Sequence, residues 1–412
     1  MSSVLGCLLA LLGMLPRDAD LAVVRDGDRW LVGVHPDDLV LSRGSAAFSA
    51  LDQLQQGWWA GFLSYDLGRA VEHVVARSTD DLNLPDLALA RFDARLELDE
   101  SGIRVVGDGM TRPVLEALRR RLLEGEGPPL PRSVLGPWSS SLSREAFEAQ
   151  VAAAIALIEA GEFYQVNLTR RLTCERPADP LSLFAALARA NPAPHAALFR
   201  VGQTAVISAS PERFLLRRGD LVETRPIKGT AADPGVLESS AKDRAENVMI
   251  VDMARNDFGR LCSYGSIQVP DLCTLEAHPG LFHLVSTVRG RLRPGVGTGE
   301  LLRATFPPAS VTGAPKPRVL QAIEDLEPRR RGVYCGAVGW IDTEREALEL
   351  SVAIRTFVVT GGQTHLGVGG GIVADSDAGG EWRETELKAR RLLAAAAGVE
   401  GRDGGQKGTA LG

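Results

Sequence analysis

Close to its C-terminal end the chain places Gly369, Gly370 and Gly371 in succession inside an apolar strand-like run, VGGGIVADSD, and follows them at once with an acidic helical segment. Glycine inside a strand gives up side-chain packing and backbone entropy. Three together are sustained where backbone amides must come very close to another group, such as a ligand. The segment is not a GxGxxG fingerprint and the chain has no GxxxxGK[ST], which removes the dinucleotide and P-loop explanations for such glycines. A strand that runs into a helix in this way also requires both kinds of regular structure in one core.

Both kinds recur along the rest of the chain. The first third breaks short apolar runs with turn residues, as in DLAVVRDGDRWLVGVH, where Asp26 and Gly27 separate two strand-like pieces, so residues 1–136 read as a β-rich region. EGEGPPLPRSVLGP, residues 124–137, is dominated by glycine and proline and predicts a linker. Ser143 then reads as a helix N-cap, with Glu145 in the first turn, Phe147, Val151, Ala154, Ile155 and Ile158 on one face, and Gly161 as the stop. Strands are predicted over 205–208, 281–288, 333–341, 348–359 and 366–373, all within a catalytic region covering 137–398. The polar, glycine-rich residues 399–412 predict a flexible tail.

A chain of 412 residues has the mass of two or three domains. Lysine plus arginine number 46 against 52 aspartate plus glutamate, a net charge of −6, which argues against nucleic acid as the main partner. A small anionic substrate needs only a local cationic cluster and stays open. No apolar run approaches the roughly 18 to 20 residues that span a bilayer, so no membrane insertion is expected. The apolar stretch Val4–Leu15 lacks a preceding Lys or Arg and a small-residue cleavage site, and so reads as a first core strand or helix. The five cysteines, Cys7, Cys174, Cys262, Cys273 and Cys335, are scattered and never in CxxC spacing. They predict neither a zinc site nor a disulfide framework, and point to a reducing cytoplasm.

Four constellations could carry chemistry. Two acidic helical segments, SSAKDRAENVMIVDMARND and DSDAGGEWRETELKARRLL, each offer a carboxylate pair at i, i+3: Asp243 with Glu246, and Glu381 with Glu384. Hard oxygen ligands on one helix face suit Mg²⁺, although Glu384 and Lys388 are also an ordinary i, i+4 surface pair. In PIKGT, Lys228 is confined between an apolar residue and a glycine; desolvated, its amine would become a nucleophile or base, and exposed it would be a solvated charge. In SASPERF, Glu212 follows a proline at a strand end, where it could protonate a leaving group or pair with Arg213 or Arg217 on the surface. His283 and Arg355 lie in apolar strand-like runs. Arg355 therefore needs a partner, either a ligand carboxylate or an internal salt bridge.

In their order along the chain these segments, with GWWAGFLSYDLGR, GEFYQVNLTRR, HLVSTVRG, ASVTGAPKPR and YCGAVGWID, resemble the chorismate-utilising enzymes, a family that includes anthranilate synthase component I, aminodeoxychorismate synthase component I and the isochorismate and salicylate synthases. The resemblance runs over most of the chain. It implies an α+β fold of two intertwined subdomains, with large antiparallel sheets flanked by helices and the active site between them. It further implies Mg²⁺ bridging the acidic helices, with Glu246 and Glu384 as inner ligands and Asp243, where the family usually has glutamate, and Glu381 around them. Arg355, Lys388, Tyr334 and the amides of Gly369, Gly370 and Gly371 would hold the substrate's two carboxylates. Glu212 would be the general acid on the C4 hydroxyl, and His283, Ser310 and Thr230 would line the pocket.

Two positions choose among the family's reactions. The water-using members resembled here carry a lysine where this chain has Gln165, and a glutamine cannot activate water. Anthranilate synthases usually carry alanine where this chain has Lys228, whereas PIKGT is similar to the form in aminodeoxychorismate synthase component I. The expectation is amination of chorismate at C4 for 4-aminobenzoate and folate synthesis, with the Lys228 amine adding first at C2 or acting by position and charge; the alternatives are an anthranilate or aminodeoxyisochorismate synthase component I, or a non-catalytic chorismate-binding subunit. Neither a Cys-His-Glu glutaminase module nor a lyase domain is evident, so the ammonia is expected from a separate glutamine amidotransferase.

Overall fold

The computed structural model describes residues 3–125, 127–231, 233–278 and 281–398; the tail expected over 399–412 lies outside the described residues. Among them, two large antiparallel sheets carry the fold. One runs, edge to edge, through Gly313–Ala314, Gln165–Cys174, Gln363–Ile372, Thr356–Thr360, Thr204–Ser210, His195–Val201, Leu21–Asp26, Arg29–Val34, Ala94–Asp99 and Gly102–Gly107. The other runs through Ile227–Ala231, Leu281–Arg291, Leu221–Arg225, Arg213–Arg218, Ala347–Val352, Ala337–Asp342, Trp58–Leu63, Leu87–Phe92 and Asp38–Ser42. In each sheet residues 137–398 supply one contiguous block of strands and residues 1–136 the block beside it, so both regions are built into both sheets, which is the expected intertwined α+β architecture.

The sheets stack face to face over a buried layer that includes Val24, Leu31, Phe199 and Val206 from the first and Ala60, Phe62, Val338 and Trp340 from the second. Phe62 meets Phe199 edge-on across the layer, ring centroids 5.9 Å apart. The first sheet's other face is covered by the helices Val4–Met14, Arg112–Leu123, Pro180–Ala190 and Ala378–Ala396. A larger core joins Leu215, Leu348 and Leu350 of the second sheet to the helices Arg144–Glu159, Ala241–Gly259, Thr298–Thr305 and Lys316–Leu326. It also takes in Val166, Leu168 and Ile372 from the end of the first sheet.

Local chemistry explains most boundaries. Ser143 caps Arg144–Glu159 by accepting the Ala146 N–H at 3.2 Å, and Gly161 leaves the helix at φ +80°. Ser3 caps the apolar N-terminal segment, which is a helix burying Leu8, Leu11 and Leu12. The 124–137 stretch forms neither helix nor strand in its described residues, but it is packed: the Leu135 N–H binds the Ala396 carbonyl at 3.0 Å. Two strand expectations need correction. Val333–Ile341 becomes a strand only from Ala337, because Cys335 takes φ +67° and the Gly336 N–H turns back to the Val333 carbonyl. Leu348–Val359 is two strands in different sheets, broken where Arg355 takes φ +52°.

Candidate functional site

The break at Arg355 is a crossing from the second sheet to the first, and Pro211–Glu212 is the matching crossing between Thr204–Ser210 and Arg213–Arg218. The crossings lie side by side. The Ala209 N–H donates to the Arg355 carbonyl at 3.1 Å, the Val352 N–H to the Glu212 carbonyl at 3.0 Å, and the Ser210 hydroxyl to the Val352 carbonyl at 2.6 Å. Glu212 is thus 4% exposed, and neither surface pairing is made: Arg213 pairs with Glu223 and Glu349, and Arg217 with Glu346. Burial raises its carboxyl to about 7, against the opposing pull of the Ser310 hydroxyl, Lys228, the Ile227 N–H and Arg355. A carboxyl still protonated near neutral pH can serve as a general acid. Burial and then Arg391 pull the Arg355 guanidinium below the usual arginine range. No carboxylate among the described residues lies within ion-pairing distance of it, so the internal salt bridge is not made.

Lys228 stands at the edge of the second sheet. Its ammonium donates to the Ser310 carbonyl at 3.2 Å and lies 3.7 Å from a Glu246 oxygen, so it is no solvated loop charge. Burial lowers its pKa, opposed by Glu246 and Glu212. The same Glu246 oxygen accepts from the Gln165 amide at 3.3 Å, while Gln165 Oε1 is buried without a partner. Across from them runs the glycine strand. A Cβ on Gly371 would sit 2.3 Å from Gln165 Nε2 and 3.6 Å from the Lys228 ammonium, so a side chain there would push the ends of these two residues aside.

A Cβ on Gly370 would lie 3.1 Å from a Glu381 oxygen and 3.7 Å from one of Glu384. Lys388 pairs with Glu384 at 2.6 Å and also donates to the Gly369 carbonyl at 2.9 Å, so the ordinary i, i+4 pair does form. Burial pushes Glu384 up, but Lys388, Lys242 and Lys228 outweigh it and hold the carboxyl below the usual range. Glu381 is raised by burial, partly offset by a 2.7 Å hydrogen bond from Ser376. Asp243 sits in the first turn of its helix, its N–H on the Ser240 hydroxyl, and its side chain would meet a Cβ on Gly229. Among the described residues no three acidic, imidazole or thiol groups are drawn into one ligand set.

Ser310, in the short Ala309–Val311 turn, touches both Glu212 and Lys228. Tyr334 lies flat on the backbone of Gly367, whose Cβ would be 2.1 Å from the ring. His283 is 2% exposed and pairs across the sheet with Thr230 on one side and Glu276 on the other. Sequence reasoning missed Ser376, visible in hindsight as a hydroxyl in the turn before an acidic helix. It also missed Asn247, fully buried, which donates to the Leu284 carbonyl at 3.1 Å and accepts from Ser286, clamping the Ala241–Gly259 helix to the His283 strand. From Glu212 one outcome follows: turnover at fixed free NH₃ should fall above a pH near 7 as this acid deprotonates. In Glu212→Gln, which has nothing to lose there, that limb should disappear along with about 10²- to 10⁴-fold in rate. A wild-type profile flat to pH 9 would discard the assignment.

Comparison with known proteins bears on the family and the fold. A chorismate binding enzyme family model matches residues 28–394. The aminodeoxychorismate synthase component 1 of Klebsiella aerogenes is 41% identical over 346 residues, 81% of this chain and 76% of that protein. The protein of that name from Escherichia coli (strain K12) is 39% identical over 82% of this chain and 76% of its own length. The crystal structure of anthranilate synthase component I from Streptococcus pneumoniae TIGR4 superposes with a TM-score of 0.78 at 27% identity, covering 92% of each chain.

Proposed function

The chain belongs to the chorismate-binding enzyme family, and from that premise we propose that it converts chorismate and ammonia to 4-amino-4-deoxychorismate, as component I of an aminodeoxychorismate synthase. The observation that carries this reading is Lys228, a buried amine held between the Ser310 carbonyl and Glu246 and opposite Gly371. An alanine in its place, the form expected of anthranilate synthases, would leave ammonia to enter at C2.

Glu212 donates its proton to the C4 hydroxyl, which leaves as water while the Lys228 amine forms a bond at C2 and the ring double bonds shift. Ammonia then bonds at C4, the double bonds return, the lysine departs as its free amine, and the proton that the new ammonium gives up restores Glu212. Chorismate plus ammonia thus gives the para-aminated product and water. Arg355, left without a carboxylate of its own, and Lys388 with Tyr334 and the glycine strand hold the substrate carboxylates; His283, Ser310 and Thr230 line the pocket. Gln165 keeps the C2 side free of a base that could activate water.

Mg²⁺ is the ion proposed for this site. The donor set is oxygen only, and Gly370 leaves no side chain beside Glu381 and Glu384, which suits a hard cation that keeps waters and substrate oxygens. Glu246 and Glu384 would hold it, with Asp243 and Glu381 around them, and it would neutralise the ring carboxylate. No helix among the described residues is long and apolar enough to cross a membrane, and all five cysteines are free, which supports a place in the cytoplasm.

The burial of all cysteines but Cys7, and the rise of Cys262 to about 11 and Cys335 to about 12 through burial, support a glutamine amidotransferase partner rather than a thiol nucleophile in this chain. The purified protein should therefore aminate chorismate with ammonium salts and Mg²⁺, at a rate that rises with pH as free NH₃ accumulates and levels off above about 7 where Glu212 deprotonates, and do nothing with glutamine alone. Product identified by mass and ring substitution decides the matter: an ortho amine would replace this reading with an anthranilate synthase, and turnover of glutamine alone would remove the partner.

A further inference from the structure

A cavity of about 30 Å³ is lined by Arg171, Arg330, His365, Tyr334 and Glu327. Four buried nitrogen atoms of its walls have no hydrogen-bond partner: Nε and Nη1 of Arg171, Nε of Arg330 and Nε2 of His365. The imidazole is 4% exposed, and its Nδ1 lies 3.1 Å from the Thr173 hydroxyl. In the tautomer where that hydroxyl donates to Nδ1, the ring proton rests on Nε2 and all four unmatched atoms are donors; in either tautomer the three guanidinium nitrogens are.

Acceptors nearby are already taken. Glu327 accepts from Arg331 through both oxygens and from the Thr169 N–H, and Asp81 is bound by both Arg171 and Arg329. Burying donors without partners costs about 1–3 kcal/mol for each group. A water could accept from two of them, but the groups that could receive its own hydrogens, on Glu327, Ser141 and Thr356, each already hold a hydrogen-bond partner. An occupant that only accepts, and is no larger than one or two waters, meets the wall on all sides.

We propose that this cavity is a binding site for a single halide ion, chloride in solution, held by Arg171, Arg330 and His365. The site is separate from the proposed Mg²⁺ carboxylates and needs no part of the amination reading. Burial and the nearby Arg171 hold His365 down to about 4, so at neutral pH the ring is an uncharged donor and the guanidinium groups supply the attraction.

Crystals soaked in sodium bromide should show an anomalous peak in this cavity. In solution, replacing sodium gluconate by sodium chloride at equal ionic strength should raise Tm saturably, by about 2 °C at ten times the half-saturating concentration. His365→Phe keeps the ring volume and the Arg171–Asp81 pair but removes one donor, and should weaken the chloride response at least threefold; Arg171→Met should abolish it. Water density with no bromide peak, or an unchanged chloride response in His365→Phe, would overturn the site.

Discussion

Replacing Glu246 or Glu384 by glutamine is expected to reduce turnover at least about 10²-fold while the protein stays folded. The two carboxylates stand on different helices, and a neutral amide of the same shape could not balance the charge of the divalent ion proposed between them. The fold should tolerate either change. Glu384 has a half-exposed side chain whose visible pairing is an i, i+4 contact with Lys388, an interaction of about 0.3–0.5 kcal/mol in such a setting. Glu246 is deeper, but its contacts, Gln165 and Lys228, would both still find an amide oxygen. Initial rates against Mg²⁺ concentration, with thermal melts of each variant, separate these effects. A variant with near wild-type rate at limiting Mg²⁺ would show that its carboxylate is only a charge on the helix.

Lys228→Ala should lower 4-amino-4-deoxychorismate formation by about 10³-fold while leaving chorismate affinity within a few-fold, because the amine is needed for bond formation and not for ground-state binding. What flux remains should shift toward amination at C2. The substitution removes a buried ammonium whose partners are a carbonyl and Glu246, so loss of activity through unfolding is not expected; circular dichroism and chorismate titration would establish that. Full para-amination by the alanine variant would reduce Lys228 to a positioning charge.

Local signals read well because their causes are local. The Ser143 cap, the Gly161 stop, the glycine strand and both carboxylate pairs at i, i+3 depend on residues within one or two turns of each other. The crossing inside LELSVAIRTFVV could not be read. Alternation and apolar character continue unbroken through Ala353–Arg355, and only a positive φ at Arg355, set by its neighbours in two sheets, divides the run. The same limit applies within the site. That Glu246 shares its oxygen between Gln165, 81 residues before it, and Lys228 is a tertiary fact, and spacing alone left open whether Lys228 was buried.

Glu212 and Arg355 occupy the two places where the chain leaves one sheet for the other, whereas Lys228 rides on an edge strand of the second sheet and Gly369–Gly371 on the first. On the reading proposed above, the reacting pocket is therefore a seam between the two sheets. Thinning the layer around Phe62 and Phe199 would let the sheets settle by a fraction of an ångström and change how far the lysine stands from the glycine strand, with no active-site residue altered. On that reading the buried layer, to which the first hundred residues contribute Phe62, acts as a gauge block for the reach of Lys228, and a core substitution there should alter the ratio of para to ortho product together with the melting temperature.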